Sequence, residues 1–95
     1  MSQRITVQLQ VQPGQSAAFE GFMAEATARV RAEDAGCEQY HLFRSLDEET
    51  RYVLIESWAT AEDLAAHGSA PAIEQLRGMR AYLAGAPEVH RYEDE

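Results

Sequence analysis

The chain has a single cysteine in 95 residues, so no internal disulfide can form and no second thiol is at hand to open a thiolate metal site of the usual spacing. Cys37 therefore reads as a small buried hydrophobe rather than a reactive thiol. There is no run of about eighteen apolar residues of the kind that spans a bilayer. The start MSQRITVQ lacks the basic region and apolar stretch of a secretory signal, which predicts a cytoplasmic protein that does not engage membrane. Basic residues are scarce: eight Lys and Arg stand against sixteen Asp and Glu, a net charge of −8. Such a surface repels phosphate backbones, because binding them means displacing counterions with Lys or Arg, so nucleic acid is excluded as a partner. No glycine-rich phosphate loop is present, and His41, His67 and His90 show no HxxxH or HExxH spacing. No cofactor and no metal are expected unless the fold brings those histidines together.

What is present is a clear alternation of patterns. Ile5, Val7, Leu9 and Val11 point one way over residues 4–12, and Thr6, Gln8, Gln10 and Gln12 point the other, which predicts a strand. Pro13 and Gly14 stop it, and Ser16 stands where its hydroxyl would cap a helix. From Ala17 to about Glu33, Phe19, Phe22, Met23, Ala26 and Val30 recur at helical spacing, and Gly36 suits the left-handed turn that closes such a helix. Residues 37–46 and 51–58, joined by an acidic turn, read as a hairpin. Thr60 and Asp63 form a capping pair that opens a short helix, which Gly68 interrupts. Ser69 and Pro71 restart it, Ile73, Leu76, Met79, Arg80 and Leu83 continue the spacing, and residues 88–93 are a last strand.

The order β-α-β-β-α-β, with the second helix broken in two, is that of a ferredoxin-like α+β fold with helices on one face of a four-stranded antiparallel sheet. A chain of this length is expected to form one domain, 1–95, burying only about two-thirds of its unfolded surface. On the third strand Tyr52, Leu54, Glu56 and Trp58 share one face, and Val53, Ile55 and Ser57 share the other. Neither face suits water, so a second copy packed sheet to sheet is expected to cover whichever the helices leave bare. A homodimer follows.

Residues 36–67, GCEQYHLFRSLDEETRYVLIESWATAEDLAAH, continued by SAPAIEQL, resemble the central signature of the antibiotic biosynthesis monooxygenase family. Gly36, Cys37, Tyr40, Glu56, Trp58, His67, Ser69 and Pro71 fall on its positions, and the Pro-Gly after the first strand is also in place. One departure is Ala72, where many relatives carry a second His. The resemblance implies a dimeric α+β barrel and, for several members, oxidation of quinols or related phenols by oxygen without metal or flavin. Haem-degrading relatives use an Asn on the first strand, which is absent here.

Such an oxygenase needs a phenol or enol that gives an electron to oxygen once deprotonated, so the protein must supply a base, an apolar pocket and donors for the anion. His67 is the expected base. Tyr40 and Trp58 would wall a flat aromatic or quinol-like substrate, with Phe22 and Tyr82 lining the same cavity. Glu56 would orient the base or, more simply, pair with an arginine such as Arg44 or Arg91. The competing reading is a non-catalytic dimeric module that binds a small molecule or supports a pathway complex.

Overall fold

Ile5, Val7 and Leu9 of β1 (Gln3–Gln10) are all buried on one side, as is Val11 just beyond it. That side carries the helices. The computed structural model describes residues 1–93, in which β1 is followed by α1 (Ser16–Glu33), β2 (Cys37–Arg44), β3 (Arg51–Trp58), α2 (Ala61–His67) and α3 (Pro71–Arg77). A 3₁₀ helix (Gly78–Tyr82) and β4 (Glu88–Glu93) complete the chain. The strands lie in the order β2-β3-β1-β4, every pairing antiparallel, which is the ferredoxin-like arrangement the patterns predict. No helix among the described residues is long and apolar enough to cross a membrane.

α1 lies over the sheet on the stripe formed by Phe19, Met23, Ala26 and Val30, each with no exposed surface. Ser16 does not cap it. Gln15 is the residue before the first turn, and the Ser16 hydroxyl instead donates to the Glu49 carbonyl at 3.0 Å, tying the helix start to the β2–β3 loop. At the other end Asp34 caps the helix through its own N–H, which donates to the Val30 carbonyl at 2.9 Å. Gly36 then turns the chain at a φ of +78°, and a side-chain carbon there would fall 2.1 Å from an Asp63 carboxylate oxygen. Only glycine fits, for backbone and for space.

The second helical region is shorter than its apolar spacing predicts. Thr60 caps α2 as expected, accepting from the Asp63 N–H at 3.1 Å, and Pro71 occupies the first turn of α3. After Arg77 the chain tightens into the 3₁₀ helix, where a side-chain carbon on Gly78 would come within 2.9 Å of the Phe22 ring. That close approach of the chain to α1 is something periodicity does not reveal.

The register resolves which face of β3 is covered. Tyr52, Leu54, Glu56 and Trp58 lie under the helices and are buried, whereas Val53 and Ile55 face the other way and are half-buried in the single chain. Val53 sits opposite Phe43 and Ile55 opposite His41, and Phe43 is 46% exposed. It is therefore this reverse face, and not the Tyr52 face, that a twin subunit would cover. His41 on β2 and His90 on β4 stand on opposite edges of the sheet, so the three histidines do not converge.

Candidate active site

Two strands and one helix end supply the cluster around His67. The pleat of β3 places Glu56 and Trp58 on the helix side, and Tyr40 of β2 pairs directly opposite Glu56. α2 is kept from merging with α3 by Ala70, whose extended backbone precedes Pro71, and the imidazole at its last turn is left over the sheet. The ring stacks on the Trp58 indole, centroids 4.5 Å apart and planes 29° from parallel. Tyr40 meets it edge-on at 5.2 Å and meets Trp58 in the same manner at 6.0 Å. The indole N–H donates to Glu56 Oε1 at 3.0 Å.

The partner of His67 was not legible in the sequence. Asp34 places Oδ2 2.6 Å from His67 Nδ1, and both side chains are 6% exposed. With the Nδ1 proton donated to that carboxylate, neutral His67 carries its lone pair on Nε2, so Asp34 sets the tautomer as well as the ring's orientation. The signal in the sequence was faint: an acid two residues before a helix-closing Gly-Cys, 33 residues from the histidine it holds.

Electrostatics separate the roles of the neighbouring groups. Burial pushes the Glu56 carboxyl up from its ordinary range, while the Trp58 N–H and the nearby His67 work against that shift. The Tyr40 hydroxyl is driven far above its normal value by burial, and then by the charges of Glu56, Cys37 and Asp34, so it remains a proton donor. The Cys37 thiol is also raised, first by burial and then by Asp34 and Glu56, which leaves it without thiolate character.

The Glu56 shift has a measurable sign. Above its unfolded value of 4.5 and below its folded one, the folded chain holds a proton that the unfolded chain has released, so stability falls as pH rises through that interval. Glu56→Gln keeps an oxygen for the Trp58 N–H and removes the titration, so urea midpoints measured from about pH 4 to 8 should lose that decline. An unchanged slope would mean that another group carries it.

The remaining residues divide by position. Tyr40 and Trp58, 1% and 0% exposed, back the imidazole from the core side. His67 and Asp34 border a surface groove of about 190 Å³, whose other walls include Glu33, Asp63, Ala66 and Pro71. Phe22 and Tyr82 are brought together elsewhere: their rings lie 5.6 Å apart, and Tyr82 also meets Phe19, which packs on Tyr52 at the far end of β3. They do not line the groove beside His67. Glu56 does not pair with an arginine, since Arg44 reaches Glu20 at 3.1 Å and Arg91 reaches the Gln3 side chain at 3.3 Å. The indole takes that place because it lies two residues along on the same strand face. Among the described residues no group of three or more His, Cys, Asp or Glu is arranged to hold a metal ion.

Residues 2–78 match the family described as antibiotic biosynthesis monooxygenase. No curated protein sequence matches the chain. Among solved structures, one assigned as an antibiotic biosynthesis monooxygenase from Caulobacter crescentus is 30% identical, with a TM-score of 0.91 over 99% of this chain and 90% of that one. A protein given the same assignment from Bordetella bronchiseptica is 25% identical, with a TM-score of 0.83 over 99% of this chain and 97% of its own. SnoaB from Streptomyces nogalater, described as a cofactor-independent oxygenase, is 21% identical, with a TM-score of 0.84 over 98% of this chain and 92% of its own, and shares the fold.

Proposed function

Because the chain belongs to the antibiotic biosynthesis monooxygenase family, we propose that it oxidises a small quinol or similar enolisable aromatic with molecular oxygen, His67 taking the substrate's proton. The observation that carries this reading is the buried Asp34–His67 pair at 2.6 Å on the wall of a groove of about 190 Å³. A groove that small admits a single ring rather than the larger ligands that fill pockets of about 300–1,000 Å³.

The proposed steps begin at that pair. Nε2 accepts the phenolic proton, and the Asp34 carboxylate faces the positive charge that this puts on the ring. The phenolate then gives an electron to oxygen, the resulting radicals combine, and loss of water leaves a hydroxylated quinone. One oxygen atom joins the ring and the other leaves as water with two hydrogens of the quinol. No metal or flavin takes part in this scheme. Trp58 and Tyr40 hold the imidazole from the core side.

The family and the bare reverse face of the sheet also support a homodimer in which Phe43, Val53 and Ile55 are covered by a second copy. Sedimentation at micromolar concentration should find a dimer, and a stable lone subunit would refute it.

Oxygen consumption tests the reaction. The purified protein, stripped of metal by chelator, is offered single-ring quinols and catechols in an oxygen electrode, with uptake above the autoxidation rate as the expected result. A thermal shift with the same compounds and no uptake would favour a non-catalytic binding module instead.

A further inference from the structure

A second groove, of about 340 Å³, runs between α1 and the edge strand β2, away from the His67 cluster. Its floor is apolar, made of the half-buried Leu42 with the fully buried Met23 behind it and Ala24 on the helix wall. Its rim carries Arg31, His41 and Arg44 against a single acid, Glu20. The size is that of an ordinary small-ligand pocket, and the sign of its charge is opposite to that of the molecule as a whole, which carries −8.

The one acid is already engaged. Glu20 Oε2 accepts from the Tyr52 hydroxyl at 2.5 Å and from Arg44 at 3.1 Å. Arg31, by contrast, donates to the Tyr40 carbonyl at 2.7 Å, a neutral partner that leaves its charge uncompensated by any ion pair among the described residues. Two guanidiniums against one carboxylate leave the rim positive. The half-exposed Leu42 and the Ala24 methyl lie beneath them.

We propose that this groove binds an organic carboxylate with a flat apolar body, the body lying on Ala24 and Leu42 and the carboxylate taken by Arg31 and Arg44. Guanidinium suits that role because its planar donors match a carboxylate edge to edge. The site shares no residue with the groove beside His67, so it stands or falls independently of the oxygenase reading.

The test uses a naphthalene carboxylate and its uncharged carboxamide as probes, titrated into isotope-labelled full-length protein and followed by amide chemical shifts. Saturable shifts confined to the Glu20–Arg31 stretch of α1 and to β2 are expected for the acid. The doubled variant Arg31→Gln, Arg44→Gln should weaken the acid at least tenfold while changing the carboxamide little. Ala24→Phe, at an exposed helical position, should block both probes by filling the groove. Melting curves alongside establish that both variants are folded. The proposal is overturned if the acid binds equally well without the two arginines, if the shifts map to Asp34 and His67, or if no saturable binding occurs below millimolar probe.

Discussion

His67→Ala should lower kcat/KM for quinol-dependent oxygen uptake by roughly a hundredfold or more, the usual cost of removing a positioned general base. The substrate does not react with oxygen until it has lost its proton, so the loss should appear chiefly in kcat. Asp34→Asn supplies the sharper test, because the two positions fail for different reasons. An asparagine can turn its amide N–H₂ toward Nδ1, at the 2.6 Å spacing the carboxylate now occupies, and so favour the tautomer that carries the proton on Nε2. That leaves an imidazole in place that can no longer accept a proton there, and turnover should fall by about the same factor as in the alanine variant. Near-normal turnover in a folded His67→Ala protein would end the proposed mechanism, whatever Asp34→Asn does.

Trp58→Ala should have the largest effect on stability. The indole has no exposed surface, supports the His67 ring at 4.5 Å, and supplies the N–H that Glu56 accepts at 3.0 Å. Truncating a buried aromatic of this size costs about 3–5 kcal/mol, and the carboxyl left without its donor adds to that. Domains of this size have only about 5–15 kcal/mol in total, so much of the variant should be unfolded at temperatures where the parent is not. Because Trp58 is the only tryptophan, its removal silences the intrinsic fluorescence, and urea unfolding is better followed by circular dichroism. Trp58→Phe isolates the hydrogen bond from the packing: the stack survives, and the remaining loss should grow with pH as the Glu56 carboxyl ionises without its indole donor. A loss below about 1 kcal/mol in Trp58→Ala would mean that the cluster is looser than its distances imply.

The sheet was legible because strand patterning is local. Alternation in β1 and the Thr60–Asp63 cap need no knowledge of the rest of the chain, and both stand in the structure. The cluster was half legible, since Tyr40, Glu56 and Trp58 share a sheet face by register and His67 follows at a helix end. What escaped was whatever depends on how elements meet. Helical periodicity assigned Phe22 to an inward stripe but says nothing of position along the axis, and Phe22 proved to sit against Tyr82 and Gly78. Asp34 belongs to the same class: its carboxylate matters only because the end of α2 comes to rest on the end of α1. The Glu56–arginine pairing failed for a related reason, as a donor two residues away on the same strand reaches a buried acid before a long side chain from the sheet edge does.

α2 is seven residues long, well short of the dozen or so at which an isolated helix begins to hold together in water. Its anchors are the Thr60 cap at one end and the Asp34–His67 contact at the other. The residue proposed to do the chemistry is thus also the fastener for the element that carries it. Evolution at this position is judged twice, once for reactivity and once for architecture, and a lineage that abandons catalysis still has reason to keep the histidine.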